Sequence, residues 1–334
     1  MNKNKLISEI LREYERDRQA ALETHKFRTA EIYKICPEIK EIDESLAECS
    51  IKISRAILAG EKGQIEKMAE ENQCKQAKRE KLLAERGFPS GYLEDIYKCS
   101  KCFDTGFGTN GEKCTCFLQR LINRYYRLSN LSRAFDNENF DTFDFKYYST
   151  SKDENSGISP RQRMEITYGT VIELLASFGK EPVNLFFHGK AGLGKTFMCN
   201  CIAKEVLNMG HTVLYAPAAK LFKTIEDARF HREEMIAPSE KIDFFYSSAL
   251  LIIDDLGTEF STLATKAALF DIVNSRILDG LSTIITSNLT LKELEKDYSD
   301  RVGSRFLEHY IFCHFIGDDI RKAKKYAFKG QGGK

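Results

Sequence analysis

The sequence has no long apolar run. None of its 334 residues belongs to a stretch approaching the ~18 consecutive apolar residues that a membrane-spanning helix needs. Residues 1–20 are charged throughout and lack the apolar segment of a secretory leader. These two absences argue against a membrane protein and a secreted one, and we expect a soluble cytoplasmic protein.

The chain also lacks an excess of charge of one sign. It carries 50 lysine and arginine residues against 49 aspartate and glutamate residues, which gives a net charge of +1. The molecule as a whole therefore does not attract a polyanion, and any contact with DNA must come from a local basic patch. The hydrophobic content of 42% is enough for a core, and the length suggests two or three domains.

Ten cysteines stand out against this background. In a chain with no sign of export, we expect metal binding rather than disulfides. Cys99-x-x-Cys102 and Cys114-x-Cys116 offer four thiolates, and glycines between the two pairs allow the chain to turn back. Four sulfurs in a closed tetrahedron suit a structural Zn²⁺, whereas an iron–sulfur cluster or free thiols are the alternatives. The other six, which we predict to be small buried apolar residues, are Cys36, Cys49, Cys74, Cys199, Cys201 and Cys313.

A glycine-rich octapeptide lies near the middle of the chain. Residues 189–196 match the pattern G-x-x-x-x-G-K-[ST], follow an apolar run at 183–188 that predicts a buried strand, and open a helical pattern over 196–209. This context predicts a loop whose N–H groups and helix N-terminus bind phosphate, rather than a chance glycine-rich turn. The predicted nucleotide-binding residues are Gly189, Lys190, Ala191, Gly192, Leu193, Gly194, Lys195 and Thr196.

Two side chains of this loop have predicted tasks. Lys195 would reach the β- and γ-phosphates, and the hydroxyl of Thr196 would bind Mg²⁺. Without nucleotide, we expect Lys195 to point into solvent, so that its replacement would leave the fold intact.

A second motif supplies carboxylates. An apolar run at residues 249–253 ends at Asp254 and Asp255. Because strands of a parallel sheet end at one edge, we expect these acids beside the phosphate loop. Asp254 would bind Mg²⁺, directly or through water, and Asp255 would orient and polarise the attacking water, with Glu259 as the alternative. The alternative is a strand that happens to end in surface acids, and it is disfavoured because the phosphate loop and this strand occur in the proper order.

Polar residues after the later strands complete the candidate site. Asn288 follows an apolar run and could hydrogen-bond the attacking water or the γ-phosphate. Arg301 and Arg305 lie where arginines often reach the nucleotide of a neighbouring subunit, and Arg321 could touch a phosphate in its own site. For any single arginine, an exposed helix charge is the simpler interpretation.

The remaining pattern predicts the architecture. From about residue 161, helical patterns alternate with short β-rich runs, which indicates an α/β domain with a parallel sheet. Residues 1–90 are charged and show apolar residues at helical spacing, with Pro37 and Gly60 between helices. That region is either a solvated helical domain or a module that docks a partner. The predicted strands are 183–188, 212–216, 249–253, 282–287 and 310–316.

Composition also predicts the domain boundaries. Residues 1–90 form the helical N-terminal domain, and residues 91–135 form the cysteine segment with a following helix. Residues 136–160 are polar over much of their length and predict a linker. Residues 161–334 then form the nucleotide-binding domain.

Together, these motifs resemble those of the bacterial DnaC/DnaI helicase loaders, which are AAA+ ATPases of the initiator clade related to IstB. The resemblance extends from about residue 97 to residue 325. The segment CSKCFDTG at 99–106 is similar to that of Gram-positive and phage-type loaders, and it favours a loader over an IstB protein. The motifs that carry the resemblance are GKAGLGKT at 189–196, LLIIDDLGTE at 250–259, IITSN at 284–288 and RVGSR at 301–305.

The resemblance implies the roles of individual residues. It implies an AAA+ P-loop ATPase that uses ATP, Mg²⁺ and Zn²⁺, with Asn288 as sensor 1 and Arg321 as sensor 2. Arg305 would be the arginine finger, with Arg301 as its rival.

The resemblance also implies a function. ATP-bound loaders of this family engage a DnaB-type replicative helicase and help to place it on single-stranded DNA, and hydrolysis to ADP and phosphate favours release. Loader subunits associate with one another through their ATPase domains. By position alone, residues 1–90 would dock the helicase. Candidate DNA contacts are Lys220, Lys223, Arg229 and the lysines between Arg321 and Lys325.

Two other functions stay open. One is a transposition helper ATPase like IstB, which would bind a transposase instead of a helicase. The other is a nucleotide-gated zinc protein that binds DNA or a partner with little hydrolysis, because Asp255 stands where many related ATPases have glutamate.

Overall fold

The structure of the protein is a computed structural model. Within the residues it describes, no helix combines the length and the apolar character needed to cross a membrane. The chain divides into two units, one of residues 11–109 and one of residues 1–10 with 110–334. The described residues are 3–60, 62–126, 137–153, 157–230, 238–259 and 261–322.

The unit of residues 11–109 is mainly helical. Pro37 occupies the first turn of the second helix, where its missing N–H is not needed. Gly60 ends that helix in a left-handed conformation, with a φ of 76°. Both predicted breaks are therefore confirmed. The core of this unit contains Ile32, Cys36, Ile39, Leu83 and Leu93. Its helices, the first of which begins in the other unit, are α1 (Lys3–Ile35), α2 (Pro37–Ala59) and α3 (Lys62–Glu85).

The second unit contains a five-stranded parallel sheet with helices between the strands. The predicted α/β fold is confirmed, and each predicted strand is found within a few residues of its expected bounds. The strands are β1 (Asn184–His188), β2 (Val213–Pro217), β3 (Leu250–Leu256), β4 (Ser282–Ser287) and β5 (Ile311–His314). The helices of this unit are α4 (Thr115–Tyr126), α5 (Pro160–Ala176), α6 (Lys195–Asn208), α7 (Ala218–Phe230), α8 (Pro238–Ser247), α9 (Leu263–Leu278), α10 (Leu291–Tyr298) and α11 (Asp300–His309).

The strand order places the predicted motifs side by side. The order is β2-β3-β4-β1-β5, so β1 lies between β4 and β5. Because the strands are parallel, the segments that follow β1, β3 and β4 leave the sheet at the same edge. The phosphate loop, the two aspartates and Asn288 stand at these three strand ends.

Alternation along the strands determines which side chains reach that edge. On one face of the sheet, Tyr215 of β2, Ile252 of β3 and Ile284 of β4 pack in one core with Met198 and Ile202 of α6. Side chains two residues apart in a strand share a face. The residues that follow Ile252 and Ile284 by two positions are therefore directed towards α6, the helix that the phosphate loop opens.

A buried arginine fixes the other ends of two strands. Arg276 of α9 is fully buried, and its guanidinium donates to the hydroxyl of Thr283. It also donates to the backbone carbonyls of Phe245, Ser248 and Ser282. Burial lowers the pKa of Arg276 to about 10. These bonds tie α8 and α9 to the starts of β3 and β4.

The segment predicted as a linker has an ordered, aromatic part. Two 3₁₀ helices, Phe140–Thr142 and Phe145–Tyr147, lie within residues 137–153. Asn139 caps the first of them by accepting from the N–H groups of Asp141 and Thr142. Phe140, Phe143 and Phe145 pack against the main core, and Tyr148 belongs to it. Apolar burial by these rings accounts for the difference from a polar linker.

Candidate nucleotide site

The phosphate loop adopts a conformation that only glycine accommodates. Gly189 has a φ of 141°, and a Cβ atom there would lie 2.2 Å from the carbonyl oxygen of Phe315. Gly194, with a φ of 94°, lies against the hydroxyl of Tyr148, which donates to the carbonyl of Leu193. Helix α6 begins directly after this turn, so its N-terminal N–H groups face the space in front of the loop.

Lys195 is held inside the protein. Its side chain is only 5% exposed. Its ammonium donates to the carbonyls of Gly189 and Lys190 and to Asn288 Oδ1, the last at 2.8 Å. Burial lowers the pKa of Lys195, and the charges of Asp255 and Asp254 oppose that effect. The expectation that Lys195 points into solvent is therefore wrong, because the loop's own carbonyls and Asn288 enclose the ammonium.

Asp254, at the end of β3, is buried and bonded on both sides. Its carboxylate accepts from the hydroxyl of Tyr215 at 2.5 Å and from that of Thr286 at 2.6 Å. The hydroxyl of Thr196 lies 3.3 Å from one carboxylate oxygen and 3.4 Å from the other. The predicted pair of Mg²⁺ ligands, Thr196 and Asp254, is thus in contact. Two oxygen ligands on a helix N-terminus and a strand end fit a hard cation such as Mg²⁺.

A β-bulge directs Asp255 to the same site. The pairing of β3 with β4 shifts by one residue between Ile253 and Leu256. Asp255 lies in this bulge with a φ of 57°, which is left-handed. Desolvation raises the pKa of Asp255, and the charge of Asp254 adds to this increase, while Lys195 and Arg321 oppose it. Two adjacent carboxylates therefore reach one site, which a regular strand would not allow.

A cavity of about 270 Å³ lies at this site, and Asp255 lines it whereas Asp254 does not. Of the predicted site residues, it is lined by Ala191, Gly192, Leu193, Gly194, Lys195, Thr196, Asp255, Asn288 and Arg321. Sequence reasoning missed the aromatic wall of the cavity, whose signal was the aromatic run at residues 140–148. That wall and its neighbours are Glu138, Thr142, Phe143, Asp144, Tyr147, Tyr148, Phe197 and Ile320.

The remaining predicted residues lie elsewhere. Arg301 and Arg305 are on α11 and do not line the cavity of their own chain, and Arg305 lies 3.5 Å from Glu308. Glu259, the alternative base, accepts from the hydroxyl of Tyr298 and from the N–H of Gly257. Unlike Asp255, it does not line the cavity.

The candidate DNA contacts are described only in part. Lys220 and Lys223 are exposed on α7, and Lys322 is exposed after the last strand. The side chain of Arg229, and all of Lys324 and Lys325, lie outside the described residues.

The four clustered cysteines form a separate candidate metal site. Four Sγ atoms lie within 4.8 Å of one another, and they belong to Cys99, Cys102, Cys114 and Cys116. Tetrahedral Zn–S bonds of about 2.3 Å place the sulfurs about 3.8 Å apart, so the cluster fits zinc with a small contraction. All ten cysteines are described and none forms a disulfide, and Cys74 is exposed, contrary to the prediction that all six scattered cysteines are buried.

Backbone bonds shape the first half of this cluster. The N–H of Gly106 donates to the sulfur of Cys102 at 3.3 Å. Asp104 is buried and left-handed, and its carboxylate accepts from the N–H groups of Lys98 and Cys99. Outer bonds of this kind orient the thiolate ligands at metal sites.

Comparison with known proteins places this geometry in a family. The family model described as IstB-like ATP binding protein matches residues 115–324. The replicative helicase loader DnaC of Buchnera aphidicola (subsp. Baizongia pistaciae) is 26% identical over 151 residues, which is 45% of this chain and 61% of the loader. The replicative helicase loader DnaI of Bacillus subtilis is 25% identical over 136 residues, 39% of this chain and 41% of that protein. The matches thus span 61% or less of the length of these two curated relatives.

A solved structure is similar over part of the chain. The crystal structure of the DnaC helicase loader has a TM-score of 0.45 and 20% identity, covering 55% of this chain and 98% of that one. The resemblance to DnaC/DnaI-type loaders and IstB, predicted from the motifs, is confirmed by the family model and the two curated relatives.

Proposed function

We propose that this chain, which belongs to the family of IstB-like ATP binding proteins, is an ATP-dependent loader of a DnaB-type replicative helicase. Binding of ATP is supported by two contacts at the phosphate loop. Lys195 bonds Asn288, and the hydroxyl of Thr196 contacts the carboxylate of Asp254. The helicase part rests on the relatives, which are named replicative helicase loaders.

Binding of ATP would reorganise the bonds of Lys195. Without nucleotide, its ammonium is satisfied by two loop carbonyls and Asn288. A triphosphate in the loop would offer negatively charged acceptors, and an ammonium is attracted more strongly to a phosphate oxygen that carries charge than to a neutral carbonyl oxygen. Asn288 would then be released to bind the γ-phosphate or the attacking water. The Lys195–Asn288 hydrogen bond would thus form without nucleotide and break when a triphosphate binds.

Hydrolysis would use the carboxylates at the end of β3. Thr196 and Asp254 would hold Mg²⁺, which neutralises charge that develops on the phosphates. Asp255 would accept the proton of the attacking water, and its raised pKa brings it closer to that of an effective base. Arg321 would contact phosphate from within the same chain. Arg305, outside its own cavity, would reach the nucleotide of a neighbouring copy, with Arg301 as the rival for this role.

The rest of the chain would make the partner contacts. Residues 1–90 would dock the helicase, and the cysteine cluster would hold Zn²⁺, a structural ion that contributes folding energy to its segment. Exposed lysines of α7 would contribute to binding single-stranded DNA. Hydrolysis to ADP and phosphate would favour release of the helicase.

The test is a reconstituted loading reaction with the full chain. Replicative helicase, the protein and circular single-stranded DNA coated with binding protein are incubated with ATP, and helicase on the circles is measured after gel filtration. We expect loading to need the protein and ATP, and to fail with Lys195→Ala. If the helicase neither binds the protein nor reaches DNA in its presence, the proposal is wrong.

The family description favours one alternative, a transposition helper like IstB. Such a protein would bind the transposase of an insertion sequence and stimulate strand transfer, with no effect on helicase loading. The two assays, run with one preparation, separate the functions. If neither assay responds while ATP binds with little turnover, the protein is a nucleotide-gated binding protein.

A further inference from the structure

The carboxylate of Asp254 has two buried hydroxyl partners on the strands beside it. Tyr215 of β2 donates to Oδ2 at 2.5 Å, and Thr286 of β4 donates to Oδ1 at 2.6 Å. Asp254 and both partners are buried, with Tyr215 only 6% exposed. A buried carboxylate accepts several hydrogen bonds, so each of these donors offsets part of the cost of removing it from water.

The direction of the Thr286 hydroxyl follows from a third bond. Thr286 Oγ1 accepts the N–H of Asp255 at 2.8 Å. With that N–H as donor, the hydrogen of the Thr286 hydroxyl is available for Asp254. Thr286 therefore connects the bulge at Asp255 to the carboxylate of Asp254, and this hydroxyl has both a backbone and a side-chain partner.

Tyr215 has a simpler task. It pairs with Ile252 in the register of β2 with β3, two residues before Asp254 on the same face. Its ring packs in the core with the residues of α6, and its hydroxyl reaches forward along the strand to the carboxylate. In the apolar strand of residues 213–217, the pattern indicates a core residue at this tyrosine, and only its reach to Asp254 suggests another role.

We propose that Tyr215 is a positioning residue for the Mg²⁺ ligand Asp254. Held by Tyr215 on one oxygen and Thr286 on the other, the carboxylate has one orientation, in which it faces Thr196. The inference rests on the proposed function, because it assumes that Asp254 and Thr196 hold the cation. Outer partners of this kind typically change metal affinity by about 10–100-fold when they are removed.

The experiment measures Mg²⁺ and nucleotide separately. Tyr215→Phe removes the hydroxyl and keeps the ring. A fluorescent ATP analogue is bound first in EDTA and then during a Mg²⁺ titration. We expect the half-saturating Mg²⁺ concentration to rise about 10–100-fold in Tyr215→Phe, with the affinity for the metal-free nucleotide unchanged. The matched control is Tyr246→Phe, which removes a hydroxyl bonded to Asp271 at 2.7 Å outside the cavity, and it should match the parent.

A second pair of variants tests the other donor. Thr286→Val keeps the shape and removes the hydroxyl, whereas Thr286→Ser keeps the hydroxyl. We expect Thr286→Val to raise the Mg²⁺ requirement and Thr286→Ser to restore it towards the parent value. If Tyr215→Phe is too unstable to purify, this pair still tests whether the hydroxyl donors to Asp254 set the Mg²⁺ requirement.

The outcomes are distinct. An unchanged Mg²⁺ titration in Tyr215→Phe overturns the positioning role while leaving nucleotide binding intact. A loss of metal-free nucleotide binding together with a lower melting temperature shows that Tyr215 only supports the fold, and this also overturns it. If the parent protein itself shows no Mg²⁺-dependent nucleotide binding, the proposed function fails first.

Discussion

The cysteine cluster and the nucleotide cavity are built in opposite ways. The cluster takes its four sulfurs from the eighteen residues 99–116, and a short glycine-rich turn brings them together. The cavity takes its lining from residues as far apart as Glu138 and Arg321, joined by a parallel sheet. A substitution in the cysteine cluster should therefore impair metal binding without affecting the nucleotide cavity. Nucleotide binding, in contrast, should be sensitive to substitutions on several strands.

The largest expected effect tests whether the cavity extends to another copy of the chain. Arg305→Ala should reduce helicase- or DNA-stimulated hydrolysis by ~10³-fold, because the guanidinium that stabilises the negative charge developing on the γ-phosphate is lost. ATP affinity of the monomer should stay nearly unchanged, since Arg305 does not line its own cavity. Stimulated hydrolysis and nucleotide binding are measured on the same sample.

Mixing gives the control. Arg305→Ala and Lys195→Ala each lack a different half of one shared site, so a mixture should recover part of the hydrolysis. If only mixtures made with Arg301→Ala recover, Arg301 is the finger. If no mixture recovers, the claim that the site is shared between two copies of the chain loses its support.

The next effect separates the two sites directly. Lys195→Ala should weaken ATP binding by about 100-fold, because it removes a charged donor to the phosphates. Zinc content should not change. The fold should lose some stability, since Gly189, Lys190 and Asn288 lose a common donor. Calorimetry measures affinity, and thermal unfolding measures stability.

Lys190→Ala is the matched control, because Lys190 belongs to the phosphate loop through its backbone, while the residue is exposed and does not line the cavity. It should bind ATP almost as the parent does. Equal ATP affinity in Lys195→Ala and the parent would contradict the phosphate-loop assignment.

The reciprocal change tests the local site. Protein purified without chelator should hold about one zinc per chain, and Cys99→Ser should lose most of it. The segment around residues 97–117 should then become loosened and sensitive to protease, while ATP binding is retained. Metal analysis and limited proteolysis check this result, with Cys74→Ser, an exposed cysteine, as control. Iron with visible absorbance, or no metal at all, would overturn the zinc assignment.

The smallest effect concerns pH. Burial lowers the pKa of His188 to about 4 from 6.5, and the charges of His314, Lys195 and Arg163 act in the same direction. The unfolded chain then binds more protons between these pH values, so stability falls as the pH is lowered from 6.5 towards 4. Because His188 is only half-buried, we expect a loss of about 1 kcal/mol from this group.

His188→Phe keeps a ring beside His314, whose ring is stacked at 4.4 Å, and removes the titration. Denaturant unfolding at pH 7 and pH 5 should show a smaller loss in this variant than in the parent. His309→Phe, on α11, is the control. An identical loss in His188→Phe and the parent would assign the acid sensitivity to other groups.

Much of the site could be predicted from local patterns. The phosphate loop, the strand that ends at Asp254 and the four cysteines each occupy one short stretch of sequence, and each combination of residue types is typical of one kind of site. The aromatic wall of the cavity was missed because its residues, among them Phe143 and Tyr148, lie within a segment whose later part is polar. Their places in the fold depend on residues far along the chain, since Tyr148 bonds the carbonyl of Leu193, 45 positions away, and the ring of Phe143 contacts that of Phe197.

The sequence by itself determined the alternating α/β order, the breaks at Pro37 and Gly60, the phosphate loop and the cysteine spacing. These features follow from backbone preferences and side-chain types within a few residues. Only the tertiary structure decided that Lys195 is enclosed, that a bulge turns Asp255 towards the cavity, and that Tyr215 and Thr286 hold Asp254. Each of these depends on which strands become neighbours, and strand order is a property of the whole sheet that no local pattern contains.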